Sequence, residues 1–325
     1  LRKGVKWHNG DDFTAKDVKF SYERLMESPA AQNNIGFLES VTIIDDYTVV
    51  LKSTAPYAPM LASLATPALA IVPESVVSAN EDALTQNPVG TGPYKLVEWN
   101  PEESCVLEAF DNYWGEKPKT KTVIMKVIPE GTQRSIMLET GEIDIAYNIL
   151  PNDIERIEST DGLTVLRTSS EKTQSLNFNT STDRPVGNKL VRQAIAHAID
   201  KETILQTVLN NTGEIANLWT PPASFGYSED VEAPSYDLEK AKDLMKEAGY
   251  AEGFSCNIWV DDDQLYKEIA TVLQAQLLEI GIDLQIETML RSTKLDSLKK
   301  HDDSMDINLS SFNNNTADVD YVLYT

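Results

Sequence analysis

"FSCNIWVDDDQLYKEIATVLQAQLLEIGIDLQIETM", residues 254–289, changes its hydrophobic period twice. Phe254 to Val260 is a short run rich in β-formers. Leu265, Ile269, Val272, Leu273, Leu277 and Ile280 then recur at helical spacing until Gly281, and Ile282 to Met289 alternates apolar with polar. Strand, helix and strand in that order predict a βαβ unit, whose two strands lie parallel with a right-handed crossover. Asp261-Asp262-Asp263 resembles a cation site until its position is noted. Carboxylates just ahead of a helix stabilise its N-terminus by about 0.3–1 kcal/mol each, and the alternating oxygen ligands of a calcium loop are missing.

Working outward, "MDINLSSF" supplies a further strand. On the other side, "YDLEKAKDLMKEAGY" is a helix with Asp237 as its cap and Gly249 as its stop, and "NKLVRQAIAHAID" carries an apolar stripe through Leu190, Val191, Ala194, Ile195 and Ala198. Asp200 is placed to cap the helix that follows. "SLNFNTS" is a strand. In the first half, Thr14 and Asp17 make a short-armed capping box, and "SVTIIDDYTVVLK" is a hairpin turning at Asp45-Asp46. "TVIMKVI" (122–128) is a strand. A helix from about Thr132 to Thr140 ends at Gly141 and leads into a strand from Ile143. Interleaved strands and helices define an α/β protein.

The 325 residues are enough for about two domains and large cores. The formal net charge is −23, from 51 acidic and 28 basic residues, a field that repels nucleic acid and anionic lipid. The acidity reads first as solubility. The most apolar stretch, "PMLASLATPALAIVP", is short, rich in small residues and interrupted by prolines, so it does not span a bilayer. The first residues, "LRKGVKW", read as the tail of a strand cut within its sheet, so the chain is expected to be part of a longer protein.

Two glycines in "NPVGTGPYKLVEWNP" (87–101) invite comparison with a phosphate loop. Pro93 removes an N–H where one is needed, and a strand rather than a helix follows. Gly90 and Gly92 are instead expected in a tight turn entering that strand, where a side chain would not fit. Cys105 and Cys256 are far apart, and His8, His197 and His301 are scattered, so no metal site or cofactor is expected. His197 lies on an amphipathic helix and reads as a packed or surface residue rather than a ligand. No nucleophile–base pair, nucleophile elbow or zinc-binding helix is present, and binding rather than turnover is expected.

"LRKGVKWHNGDDFTAKDVKFSYERL", "NPVGTGPYKLVEWN", "NYWGEKP", "LETGEIDIAYNI", "VRQAIAHAIDKETI" and "YDLEKAKDLMKEAGY" follow one another in this order. Together they resemble the peptide/nickel class (family 5) of extracellular solute-binding proteins, receptors that feed ABC importers. The resemblance implies a two-lobed periplasmic-binding-protein-like α/β fold with an extra small domain, incomplete here. Residues 1–90 match the extra domain, 91–178 the larger part of the first lobe and 179–325 the second lobe without its C-terminal return. It implies no enzyme activity. The implied location is extracytoplasmic, in the periplasm or at the cell surface, with a lipid anchor outside this stretch and permease subunits as partners.

The same resemblance marks candidate ligand contacts. Arg134 matches an arginine that many members turn toward the ligand, where it would clamp a carboxylate; the competing reading is an ion pair with Glu130 or Glu139. Phe312 takes a place often held by tryptophan, or is plain core. Asn315 stands where oligopeptide binders place an aspartate for the ligand's amino group, and Asn313 is set beside it. Ser292 replaces a pocket tryptophan, and Trp219 is a candidate aromatic wall. "NNNTADVDY" is closer to relatives with "TGDADY", which include glutathione-type binders. A short peptide, or a glutathione-like one, is the expected ligand. Nickel in a small chelate, and a receptor of the same fold that senses rather than delivers, are the alternatives.

Overall fold

The computed structural model describes the chain except residues 182, 301 and 325, and for 322–324 the backbone alone. His301 therefore lies outside the described residues. The chain forms two compact units, one from 1–130 with 315–325 and one from 131–314.

In the first unit, helix α1 (Ala15–Glu27) begins at the capping box: the Thr14 N–H donates to the Asp17 carboxylate at 2.8 Å. The other Asp17 oxygen accepts the Glu74 N–H at 3.0 Å, so one buried carboxylate serves two segments. Strands β1 (Leu38–Asp45) and β2 (Thr48–Ser53) form the expected antiparallel hairpin. The Tyr47 N–H donates to the Asp45 side chain at 2.8 Å, the local bond that lets an aspartate make the turn. Val18 and Tyr22 pack with Ile35, Leu38, Val41 and Leu69.

Strands β3 (Tyr94–Asn100), β4 (Ser104–Ala109) and β5 (Thr122–Lys126) form an antiparallel sheet. The turn before β3 is held by His8. The His8 N–H donates to Gly90 O at 2.9 Å, Nδ1 accepts the Gly90 N–H at 3.2 Å, and Nε2 lies 3.1 Å from Gly92 O. The glycines are not there for space. A Cβ on Gly92 would meet nothing within 4 Å, and one on Gly90 would make only ordinary contact with the His8 ring.

In the second unit, helix α2 (Gly131–Glu139) is not followed by the strand expected from Ile143. Ile145 and Tyr147 point into solvent, Asn148 takes a left-handed φ of 55°, and its carbonyl accepts from Arg134 Nη2 at 2.8 Å. Alternation makes a strand only where a neighbouring ladder takes up the backbone groups.

Strands β6 (Lys172–Phe178), β7 (Phe254–Asp261), β8 (Ile282–Met289) and β9 (Ile307–Asn313) form a sheet in the order β6-β9-β7-β8. Helix α6 (Gln264–Leu278) connects β7 to β8, which pair parallel as predicted. Helix α7 (Arg291–Lys299) leads from β8 to β9, which pairs parallel with β7 and antiparallel with β6. Helices α3 (Lys189–Ala198), α4 (Lys201–Thr207) and α5 (Leu238–Glu247) precede β7. Ile258, Val260, Ile282, Leu284, Ile307 and Leu309 of the sheet share one core with Val191, Ile195, Met245, Leu273 and Leu277. Each such side chain contributes about 1.5–3 kcal/mol by leaving water. Cys256 belongs to this core, where burial pushes its thiol up to about 12. His197 is buried on α3, with Nδ1 2.7 Å from Ser235 O.

Gly253 and Gly281 sit side by side at the start of β7 and β8, both at positive φ (76° and 83°). A Cβ on Gly253 would run into the Gly281 carbonyl, whereas one on Gly249 (φ 86°) would meet nothing. Gly253→Ala is expected to cost about 3 kcal/mol, combining left-handed strain with backbone overlap, and Gly249→Ala about 1 kcal/mol, from strain alone. Urea unfolding of both variants tests this; equal midpoints would show that the Gly253–Gly281 approach is not tight.

Candidate functional site

The second unit's sheet has a topological switch. From β7 the chain crosses by α6 to β8 on one side, then returns by α7 to β9 on the other. In open α/β sheets, the crevice at the carboxyl ends of two such strands is where ligands bind. Here those ends are Asp261-Asp262-Asp263 after β7 and Phe312-Asn313-Asn314 at the end of β9.

The three aspartates have three separate duties. Asp263 caps α6, accepting the Leu265 N–H at 3.0 Å and the Tyr266 N–H at 3.4 Å. Asp262 pairs with Lys267 of that helix at 2.5 Å. Asp261 is the last residue of β7 rather than part of the cap, and is buried. Lys294 Nζ, on a side chain only 3% exposed, lies 2.7 Å from its carboxylate and donates to Leu309 O at 3.0 Å. Arg291, on the first turn of α7, lies 3.7 Å from the other Asp261 oxygen. One lysine thus joins α7, β7 and β9 across the switch.

At the end of β9, Phe312 stacks against Trp219, with ring centroids 6.1 Å apart and planes at 29°. The Trp219 loop is tied down through Ser224. Its Oγ donates to Glu171 Oε2 at 2.6 Å and accepts from Asn314 Nδ2 at 3.0 Å, while the Asn314 N–H donates to Glu171 O at 2.9 Å. Ser224 and Asn314 are buried, and Trp219 keeps 47% of its surface exposed.

Of the candidates named from the sequence, Phe312 and Trp219 are therefore brought into contact; Asn313 follows Phe312 in the chain, exposed at the end of β9. Ser292 lies exposed in the first turn of α7. Arg134 donates to Asn148 O, and Glu139, one of its two proposed ion-pair partners, is engaged by Arg156. Asn315 belongs to the first unit, where its side-chain amide donates to Tyr321 OH at 3.4 Å. Sequence reading missed Glu171, Ser224 and Asn314, which no local pattern distinguishes, and Lys294, whose burial follows only from the crossover. Among the described residues, no group of three or more His, Cys, Asp or Glu is placed to hold a metal ion, and no helix is long and apolar enough to cross a membrane.

An α/β sheet with its switch crevice fringed by an aromatic pair and polar side chains is the framework of a binding protein. The chain belongs to the bacterial extracellular solute-binding proteins, family 5 (middle), whose family model matches residues 1–325. It is 30% identical to the dipeptide-binding protein of Escherichia coli K12 over 318 residues, covering 89% of this chain and 59% of that one. The glutathione-binding protein GsiB of Pectobacterium atrosepticum is 29% identical over 294 residues, with 89% of this chain and 57% of that one covered. Among solved structures, the periplasmic binding protein DppA of Helicobacter pylori, in complex with the peptide STSA, matches with a TM-score of 0.91 and 31% identity, over all of this chain and 67% of that one. The chain thus spans less than two thirds of the length of the two curated relatives.

Lys294→Met is expected to destabilise the second unit by about 3 kcal/mol, because Asp261 is left buried without its close cation. Adding Asp261→Asn should restore most of that loss. Urea unfolding of the single and double variants checks it; additive losses would show that the two side chains act independently.

Proposed function

We propose that residues 1–325 are the ligand-binding middle part of an extracytoplasmic receptor that delivers short peptides, glutathione-like ones included, to an ABC importer. The observation that carries this reading is the Trp219–Phe312 pair at the carboxyl end of β9, beside a switch crevice and set in place by the Ser224 network. An exposed indole over a second ring gives a peptide side chain an apolar surface, and the neutral polar groups of Asn313 and Ser292 suit peptide amides. The peptide and glutathione binders among the relatives support the same reading.

In this reading residues 1–90 are the extra small domain, 91–178 most of the first lobe and 179–325 most of the second. The lobes close over ligand by hinge motion, and the closed form is what permease subunits recognise. A lipid anchor outside this stretch holds the receptor at the membrane. Arg134 supports a ligand carboxylate less directly than first expected, since its guanidinium already donates to Asn148 O.

The test is native mass spectrometry of the full-length receptor after exposure to an enzymatic casein digest. Retention of a ladder of short peptide masses is the expected result, and Trp219→Ala should reduce it about tenfold, the equivalent of one lost aromatic contact. Retention of no peptide, or of one non-peptide mass in its place, would sink the peptide reading.

A further inference from the structure

Beyond β9 the chain leaves the second unit. Asn314 is still buried in it, whereas the next residue, Asn315, is exposed and belongs to the first. Residues 315–321 then fold on themselves. Asn315 Nδ2 donates to Tyr321 OH at 3.4 Å, and the Asp318 carboxylate accepts the Asp320 N–H at 2.9 Å. Asp318 O accepts the Tyr321 N–H at 3.2 Å, where helix α8 (Val319–Tyr324) begins. Ala317 makes the bend at a left-handed φ of 51°.

Tyr57 fastens this segment to the rest of the first unit. Its hydroxyl donates to Asp320 Oδ2 at 3.1 Å and lies 3.2 Å from Ser63 Oγ. A phenol has one proton, so with that proton committed to the carboxylate the Ser63 hydroxyl donates to Tyr57. Ser63 is buried, and its N–H donates to Pro59 O at 2.9 Å. The Tyr57 ring stacks on Phe37, with centroids 4.7 Å apart and planes at 19°, and Phe37 packs against the core around Val18 and Tyr22. Burial first, and Asp320 after it, push the Tyr57 hydroxyl up, so it stays a donor at neutral pH. Tyr57 is thus held by its ring and its oxygen, and the segment it holds carries Asn315 directly after the crevice end of β9. A polar side chain beside a ligand contributes more to affinity the less freedom it has left to lose.

We propose that Tyr57 is a positioning residue for ligand binding: acting through Asp320, it sets the 315–321 segment in advance, so that Asn315 meets the ligand already in place. The proposal rests on the peptide-receptor reading and gives the region of residues 1–90 a part in affinity. Ser63 and Phe37 act one step further back, by holding Tyr57.

The experiment titrates the full-length receptor with the casein digest and reads half-occupancy by native mass spectrometry. Tyr57→Phe removes the hydroxyl and keeps the ring on Phe37. It is expected to raise the digest concentration for half-occupancy about fivefold, as for one lost hydrogen bond, and Asp320→Ala to do the same. The double variant should also stop at about fivefold rather than about 25-fold, because both changes remove one bond. A role in folding alone would lower the urea midpoint and leave half-occupancy unchanged. That result overturns the proposal, and so does multiplication of the two effects. Hydrogen exchange of the ligand-free receptor gives a second reading: the amides of residues 315–321 should exchange faster in Tyr57→Phe, and an unchanged rate overturns the proposal. If Tyr57→Phe does not unfold cooperatively, Asp320→Ala carries the test by the same criteria. A wild type that retains no peptide overturns the peptide reading and this proposal together, whereas retention with unchanged variants overturns this proposal alone.

Discussion

The second unit depends on one constraint: β7 runs parallel to both of its neighbours. Parallel strands cannot be joined by a tight turn, so each pairing requires a crossover, and the two crossovers here travel to opposite sides of β7. That divergence opens the sheet at its carboxyl end. It also places α6 and α7 so that their first turns face the end of β7, and Asp261 meets Lys294 there. Phe312 and Asn313 lie at a strand end, Trp219 in a loop and Ser292 in the first turn of α7.

The acidic surplus is partly structural. Asp17, Asp200, Asp237 and Asp263 each cap a helix by accepting backbone N–H groups that the helix cannot satisfy itself. The hydroxyl of Thr203 adds a hydrogen bond to Asp200 and is the main reason its carboxyl is held below the usual carboxylate range. Solubility and capping draw on the same residue type. Net charge alone therefore says little about a charged partner.

Periodicity made the βαβ unit, the hairpin, the caps and the parallel pairing legible in the sequence, because each depends on neighbours only a few residues away. What escaped depends on distant chain. The alternation after Ile143 met no ladder, and β4 became a strand because β3 and β5 flank it. Gly90 and Gly92 looked like a close-packing device, but the structural work there is done by His8, more than eighty positions earlier in the chain. The aromatic half of the site was visible because large rings are conspicuous and the family resemblance pointed at them. Glu171 was one of 51 acidic residues, and only its bond with Ser224, 53 positions away, singles it out.

The way the two units share the chain bears on how the protein is made. Within residues 1–325 the second unit is a continuous run, residues 131–314, whereas the first draws on both residues 1–130 and residues 315–325. On the ribosome, residues 131–314 emerge before residues 315–325 can reach the first unit. Tyr57, whose hydroxyl donates to Asp320 at 3.1 Å, must wait for a partner 263 positions later. Domains generally fold as units during synthesis. The part of the chain translated first therefore remains open at this contact until the later part has emerged.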